Sequence, residues 1–251
     1  MTARIATAPA LALVVPTYNE RDRLPELVRA IFAAYEAGGI DGELVIVDDN
    51  SPDGTGAVAD GLAKTYPITV LHRAGKLGLG TAVVEGFGAA KAEIVGVIDA
   101  DLSHPPELVP RMLSVLHAEK ADIVIGSRYI QGGGTSNWET SRVLMSKFAC
   151  MMARGLTPVR DATSGFFLMS RDRARGVTIS AGGFKICLEL LLRSPVRSVA
   201  EVPYVFVDRT TGQSKMSLRE AMGYLTQLRQ LYVLRFVGSA QGRSVRYTRQ
   251  G

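Results

Sequence analysis

Two aspartates end an apolar stretch near the middle of the sequence. The stretch Ile94–Ile98 is followed at once by Asp99-Ala100-Asp101. Residues two apart on an extended chain point the same way, so the two carboxylates converge where the strand ends. Like charges held together are costly unless a cation shares them, and Mg²⁺ or Mn²⁺ prefers hard oxygen ligands. A helix cap with a solvated turn stays the alternative, because Pro105 follows closely.

Three further polar loops follow apolar stretches. They are Pro16-Thr17-Tyr18-Asn19-Glu20, Asp48-Asp49-Asn50-Ser51-Pro52-Asp53-Gly54 and Lys76-Leu77-Gly78-Leu79-Gly80. Tyr18 could lie against a nucleobase with Glu20 on a ribose hydroxyl, and the acidic loop could accept from a base or ribose. The glycines near Lys76 would let backbone amides approach a diphosphate. The structural alternative is that Asn19 and Asp53 only cap helices.

The elements that carry these loops alternate between apolar stretches and helical patterns. The predicted strands are Leu11–Val15, Leu44–Val47, Ile68–Leu71, Ile94–Ile98 and Ile123–Ile125, with helices over Leu24–Tyr35, Ala57–Lys64, Leu79–Ala90 and Glu107–His117. This alternation predicts an α/β fold with a mainly parallel central sheet and helices on both faces. Ligands of such sheets bind beyond the carboxyl ends of the strands, which is where the polar loops lie.

The second half of the chain has a looser pattern. We predict a loop at Gly132–Gly134, helices over Val143–Leu156, Lys185–Arg193 and Leu218–Phe236, and strands at Phe166–Ser170 and Ser198–Tyr204. Residues 1–237 are expected to form one catalytic domain that ends in an amphipathic helix, and 238–251 a basic, disordered tail. The apolar stripe of the last helix either docks on the core or lies in a membrane interface.

Composition narrows the class of protein. The chain has 47% hydrophobic and 21% charged residues, which is enough apolar material for a full core. Its net charge of +5 suits a solvated basic surface, an anionic substrate or an anionic membrane. Cys150 and Cys187 form no ligand pair, which indicates a reducing compartment. No apolar run is long enough to span a bilayer, so a lipid substrate would be met at the membrane surface or through a membrane-embedded partner subunit.

A nicotinamide-dependent oxidoreductase is the main alternative from another class. Gly54-Thr55-Gly56 and Gly78-Leu79-Gly80 partly match the dinucleotide-binding fingerprint. That fingerprint places its first glycine directly after a strand, whereas the loop Asp48–Asp53 separates Gly54 from its strand. A catalytically inactive nucleotide-binding subunit is a further alternative.

Taken together, the four loops resemble the family 2 glycosyltransferases with the GT-A fold, and in particular the dolichyl-phosphate (polyprenyl-phosphate) mannose synthases. The resemblance spans about residues 11–236. The runs that carry it are Pro16–Glu20, Val47–Thr55, Lys76–Gly80, Asp99–Pro106, Gly126–Tyr129, Thr163–Phe167, Gly183–Glu189 and Val207–Met216.

The resemblance implies a role for each matching position. It places Pro16, Tyr18, Glu20, Val47, Asp49, Lys76, Asp99 and Ala100 on the nucleotide sugar, Asp99, Asp101 and Ser103 on a Mg²⁺ or Mn²⁺ ion, and Arg128, Arg142, Ser146 and Arg209 on an acceptor phosphate, with Lys215 on the donor phosphates. Asp101, Arg128, Arg209 and Lys215 would form the catalytic set. Many relatives have glutamine at the position of Ser103, whose shorter side chain is a weaker metal ligand.

The implied reaction transfers mannose from GDP-mannose to a polyprenyl monophosphate at the cytoplasmic membrane face, without a nucleic-acid partner. Another nucleotide sugar, such as UDP-glucose, stays an alternative. A phosphate monoester is largely ionised near neutral pH, since its second pKa is about 6, so no strong general base is required. His104, which precedes two prolines, is therefore interpreted as a turn residue.

Overall fold

The computed structural model describes residues 8–179, 185–207, 218–236 and 245–250, with residues 218–220 described by backbone alone. Its strands are β1 Leu11–Thr17, β2 Gly42–Asp48, β3 Ile68–His72, β4 Ile94–Val97, β5 Ile123–Ser127, β6 Gly134–Ser136, β7 Phe167–Ser170, β8 Ser198–Pro203, β9 Val205–Val207 and β10 Arg246–Arg249. Its α-helices are α1 Leu24–Ala37, α2 Thr55–Leu62, α3 Leu79–Ala89, α4 Val109–Ala118, α5 Thr140–Ala153, α6 Arg171–Ala174, α7 Ile186–Arg193 and α8 Leu218–Phe236.

The central sheet has eight strands in the order β10-β8-β5-β7-β4-β1-β2-β3. Every neighbouring pair is parallel except the two that β7 makes, because β7 runs antiparallel to both β4 and β5. The carboxyl ends of β1, β2, β4 and β5 therefore meet at one edge of the sheet. The expectation of an α/β fold with a mainly parallel sheet is confirmed, and the reversal of β7 is a feature the sequence pattern did not indicate.

Apolar side chains of β1 alternate between two cores, one on each face of the sheet. Ala12 and Val14 pack with Phe87 of α3 in one cluster. Leu11, Leu13 and Val15 pack on the opposite face, in the cluster that also holds residues of α1 and α4. Since successive side chains of a strand point to opposite faces, a strand buried on both sides reads as a continuous apolar run. Helices cover both faces, as predicted.

Helix α8 docks on the core. Leu228 and Leu231 are buried, and the hydroxyl of Tyr224 donates to the backbone oxygen of Ala149 in α5 at 2.7 Å. On the other side of α8, Met222 is 69% exposed. The inward part of the predicted apolar stripe thus packs in the protein interior, and the outward part is exposed.

Two features correct the sequence-based predictions. Residues Arg246–Arg249, expected to be disordered, form β10 beside β8, and Tyr247 packs against the core. An edge strand has unpaired backbone groups, and pairing with β10 satisfies those of β8. Next to the predicted loop, β6 and β9 form a small parallel two-stranded sheet that the short polar segment Gly134–Ser136 did not reveal.

Candidate active site

The two aspartates after β4 line a cleft of about 320 Å³ at the carboxyl edge of the sheet. Asp101 is 8% exposed, and its Oδ1 accepts a hydrogen bond from the backbone N–H of Ser103 at 3.0 Å. The turn between them is sharp, because Leu102 has a φ of 64°. The convergence of the two carboxylates on one site agrees with the sequence-based prediction.

The hydroxyl of Ser103 is a buried polar atom that makes no hydrogen bond within the described part of the chain. A buried hydroxyl of this kind calls for a partner, and a cation beside Asp101 would supply one. Over the same residues, no three His, Cys, Asp or Glu side chains gather around a common point. The donor set is thus two carboxylates with a hydroxyl, which suits a magnesium-like ion that also takes phosphate oxygens and water.

His104 lies in the bend after the acidic pair, in line with its interpretation as a turn residue, and its side chain is buried. Its Nδ1 accepts the backbone N–H of Asp99 at 3.2 Å, and its ring stacks on Phe166 at 5.1 Å between centroids. Burial lowers the pKa of His104, although the charges of Asp99 and Asp101 act in the opposite direction. A neutral imidazole with Nδ1 as acceptor fixes the backbone that carries the acidic pair.

Arg128, after β5, lies in a buried ion pair with Asp161. Its Nε and Nη2 donate to the two carboxylate oxygens of Asp161, each at 2.7 Å, and its backbone N–H donates to the same carboxylate at 3.0 Å. Burial alone would lower the pKa of Arg128, but the charge and hydrogen bonds of Asp161 raise it above its ordinary value. Arg128 is therefore permanently cationic, and it lines the cleft.

Helix α5 adds Arg142 and Ser146 to the same cleft. The guanidinium of Arg142 lies over the ring of Trp138, with its central carbon 4.1 Å from the ring centroid. The hydroxyl of Ser146 is bonded to that of Tyr129 at 2.6 Å. The aromatic ring and the phenol hold both groups in place, so that the cleft has carboxylates on one wall and cations on another.

Lys185, to which the sequence analysis gave no role, also lines the cleft. Its pKa is lowered by burial and next by the charge of Arg128, while Asp161 and Asp99 act in the opposite direction. The matching run Gly183–Glu189 was a signal that this segment belongs to the site, but residues 183–184 lie outside the described residues. Lys185 is a third basic residue of the cleft.

The loops after β1 and β3 bring Tyr18 and Lys76 together. Tyr18 is 37% exposed, and the ammonium of Lys76 lies 3.9 Å from the centroid of its ring. An exposed aromatic ring with a lysine beside it offers a surface for a base and a charge for a phosphate. Leu79 follows the same loop and lines the cleft, which connects the two regions.

Asp49, after β2, is held from two sides. Its Oδ1 accepts from Nη1 of Arg73 at 2.5 Å, and its Oδ2 accepts from the backbone N–H of Gly78 at 3.2 Å. Arg73 is buried and was missed by the sequence analysis, although it stands only three residues before Lys76. Asp49 therefore fixes the glycine-containing loop, and a contact with a nucleotide would have to be made beside this ion pair.

The other residues predicted to contact the nucleotide differ in what they expose. Val47 and Ala100 are buried in the core, so only their backbone atoms could face a ligand. Pro16 is the register partner of Val47 across β1 and β2. The backbone N–H of Glu20 donates to the hydroxyl of Thr55 at 3.0 Å. Pro16 and Glu20 thus lie at the same sheet edge as Tyr18.

Two predicted site residues, Arg209 and Lys215, lie outside the described residues. Within the described ones, the structure brings Asp99, Asp101, Arg128, Arg142 and Ser146 into one cleft. It adds Lys185 and Trp138 to the cleft, and it places the buried Asp161 against Arg128; none of the three stood out in the sequence. Asp161 is a single carboxylate in an irregular loop, and only the fold places it against Arg128.

Comparison with known proteins identifies the family. Residues 12–176 match the model of "Glycosyl transferase family 2". The chain is 39% identical to a dolichol-phosphate mannosyltransferase of Pyrococcus furiosus, over 88% of this chain and 63% of that protein. It is 38% identical to a dolichol-phosphate mannosyltransferase of Saccharomyces cerevisiae, over 90% of this chain and 88% of that protein. It is 41% identical to a polyprenol monophosphomannose synthase of Mycolicibacterium smegmatis, over 84% of this chain and 83% of that protein. The chain thus spans less than two thirds of the archaeal relative.

Solved structures show the same fold. A glucosyl-3-phosphoglycerate synthase from Mycobacterium tuberculosis, crystallised with Mn²⁺, UDP-glucose and phosphoglyceric acid, superposes with a TM-score of 0.67 at 21% identity, over 93% of this chain and 82% of that one. The family match and the likeness in fold agree with one another. This chain belongs to glycosyl transferase family 2, and it has the GT-A fold.

Proposed function

We propose that this chain transfers mannose from GDP-mannose to a polyprenyl monophosphate with the help of a bound divalent cation. One observation carries the proposal: a single cleft is lined both by Asp99 and Asp101 and by Arg128 and Arg142. Carboxylates suit a metal-bound diphosphate, and guanidinium groups suit an incoming phosphate. The names of the most similar relatives support the sugar and the lipid.

The donor side of the proposed site consists of the acidic pair and the loops after β1 and β3. Asp99, Asp101 and the hydroxyl of Ser103, which has no hydrogen-bond partner among the described residues, would hold Mg²⁺ or Mn²⁺. When bound, that ion would neutralise charge on the departing diphosphate. Tyr18 and Lys76 would contact the base and the phosphates of the donor, and the bond between Gly78 and Asp49 would hold their loop.

The acceptor side of the proposed site must hold the phosphate of the acceptor close to the diphosphate of the donor. Arg128 keeps its charge at every accessible pH because Asp161 raises its pKa, and within the described residues its Nη1 has no hydrogen-bond partner. That nitrogen would bind one phosphate oxygen, and Arg142, stacked on Trp138, would bind another. The acceptor oxygen is already ionised, so the cleft has to position it rather than deprotonate it.

Among the described residues, neither His104 nor Asp161 offers a base for a hydroxyl acceptor, which favours a phosphate acceptor. His104 lines the cleft, but its buried ring is neutral and its Nδ1 is occupied by the N–H of Asp99. Asp161, which is nearby, is fully engaged by Arg128. A sugar or glycerate hydroxyl would need a base within hydrogen-bond reach of it, whereas a phosphate monoester would not.

Contact with a membrane would bring the lipid to this cleft. None of the described helices is long and apolar enough to cross a bilayer. Next to the cleft, however, Leu144, Phe148 and Met151 of α5 are each more than half exposed, at 63%, 54% and 53%. Apolar side chains that cluster on the surface of one helix suit insertion among lipid headgroups. We therefore propose that α5 meets the membrane surface.

A donor and acceptor panel tests the reaction. The purified chain is incubated with labelled GDP-mannose, GDP-glucose, UDP-glucose or UDP-galactose and Mg²⁺ or Mn²⁺, together with polyprenyl phosphate or, separately, glycerate 3-phosphate. Label is expected in an organic-soluble product with GDP-mannose, and chelation of the metal should abolish it. If only UDP-glucose labelled the product, UDP-glucose would take the place of GDP-mannose as the donor. If the label appeared on glycerate 3-phosphate, that compound would take the place of polyprenyl phosphate as the acceptor.

A further inference from the structure

A second cavity lies on the other side of helix α5 from the catalytic cleft. Its volume is about 660 Å³, twice that of the cleft, and it is lined by Arg128, Tyr129, Ile130, Gly133, Gly134, Thr135, Val143, Lys147, Phe148, Cys150, Met151, Arg154 and Arg160. A cavity of this size accommodates a small organic molecule or a lipid headgroup.

The periodicity of α5 explains why the helix separates two cavities. Residues Arg142, Met145, Ser146 and Ala149, spaced by three or four, line the cleft. Residues Val143, Lys147, Cys150 and Met151 follow the same spacing on the neighbouring face and line the second cavity. Residues three and four apart share one face of a helix, so α5 presents two different surfaces to two ligands. Arg128 lines both cavities and lies between them.

Among the residues that the structure describes, four basic ones line the second cavity and no carboxylate does. Arg128 is paired with Asp161, but the side chains of Lys147, Arg154 and Arg160 have no ion pair with any described carboxylate. Glu201 is close to Arg160, yet its carboxylate accepts the backbone N–H groups of Arg160 and Asp161. Other arginines of the fold, such as Arg73 and Arg173, do have carboxylate partners. The excess positive charge calls for an anion.

The rim of the cavity is apolar and exposed. Phe148 and Met151 are 54% and 53% exposed, and the basic residues Lys147 and Arg154, which flank them in the sequence, are also exposed. Basic and apolar side chains close together on one surface fit a ligand that has an anionic head and a hydrocarbon tail. A small hydrophilic anion would leave the apolar part of this rim without a role.

We propose that this cavity binds the phosphate headgroup of an anionic membrane phospholipid, with Lys147, Arg154 and Arg160 around the phosphate and Phe148 and Met151 against the acyl chains. The site is distinct from the cleft and needs no bound nucleotide. A lipid held there would fix α5 at the membrane surface, and the Arg128–Asp161 pair would be the shared wall between lipid and substrate.

Vesicle binding by the full chain tests the site without a catalytic assay, so failure here is separable from failure of the proposed reaction. The double variant Lys147→Gln/Arg154→Gln removes two exposed charges from the cavity. The control Lys64→Gln/Arg111→Gln removes two exposed charges from the opposite side of the sheet. We expect the cavity variant to bind phosphatidylglycerol-containing vesicles at least about tenfold more weakly, and the control to bind like the parent chain. Equal losses in both variants would overturn the site.

Calorimetry separates a lipid headgroup from free phosphate. The parent chain is titrated with dihexanoyl phosphatidylglycerol below its micelle concentration and, separately, with inorganic phosphate. Tighter binding of the short-chain lipid, lost in Lys147→Gln/Arg154→Gln and kept in the control, supports the proposal. Equal affinity for both ligands would mean that the cavity recognises phosphate alone, and absence of binding by either would reject it.

Discussion

At the scale of single residues, the buried Arg128–Asp161 pair has a large consequence for stability. Asp161 is fully buried and Arg128 is 9% exposed, so removing one partner leaves a charge without compensation in the interior. We expect Asp161→Ala to lower the free energy of unfolding by about 3–5 kcal/mol in urea titrations. Asp172→Ala, which removes an exposed partner of Arg175, should cost less than about 1 kcal/mol. If both variants lost the same free energy of unfolding, the buried ion pair would add no more stability than the exposed one.

The pH dependence of that stability has a definite sign. Burial raises the pKa of Asp161, but the charge and hydrogen bonds of Arg128 outweigh it, so the folded pKa lies below the ordinary value. A carboxyl whose folded pKa is depressed stabilises the protein above its unfolded pKa of about 4 and loses this effect as the pH falls through the folded value. The difference in unfolding free energy between the parent and Asp161→Ala should therefore be constant near neutrality and shrink in strong acid.

The roles proposed for the acidic pair and Arg142 are tested by turnover. Asp101→Ala and Arg142→Ala should each lower turnover at least about tenfold, equivalent to about 1.4 kcal/mol of transition-state stabilisation. Arg142 is the clearer test of the phosphate site, because loss of Arg128 would also break its buried ion pair. Asp60→Ala, which changes an exposed carboxylate paired with His72, is the control. Parent-like rates for Arg142→Ala at saturating acceptor would remove this residue from the site.

At the scale of elements, α8 is fixed by its inward face. Leu231 is fully buried, whereas Met222 on the same helix is 69% exposed. Leu231→Ala should lower the free energy of unfolding by about 2–5 kcal/mol, since it leaves a cavity in the core. Met222→Ala should change it by no more than about 0.5 kcal/mol. Urea titration of both variants checks this, and similar costs would argue that α8 does not dock as described.

At the scale of the whole molecule, exposed apolar residues of α5 and α8 define the proposed membrane side. Leu144 is 63% exposed and Met222 69%, and the two helices are joined by the bond from Tyr224 to Ala149. We expect Leu144→Ser/Met222→Ser to weaken flotation with neutral vesicles, because less apolar area can enter the interface. Leu77→Ser, at a residue that is 59% exposed near the loop after β3, should float like the parent chain.

The sequence by itself determined the order of the elements and the composition of the carboxyl edge. Short continuous apolar runs such as Leu11–Val15 are typical of strands buried on both faces, and the polar loops after parallel strands then share one edge. The positions of Asp99, Asp101, Arg128, Arg142 and Ser146 in one cleft followed from that rule together with the family resemblance. These inferences are local in the chain, since each depends on the residues next to a strand or along one helix.

The ion pairs between residues far apart in the sequence are visible in the tertiary structure alone. Asp161 meets Arg128 from 33 residues away, and Arg73 meets Asp49 from 24 residues away, so no short pattern announces either pair. Strand β10 pairs with β8, which would otherwise be the edge strand, and Tyr247 packs against the core, although the tail alone is basic and polar. Contacts between distant segments depend on how the layers pack, and that arrangement is a property of the folded chain as a whole.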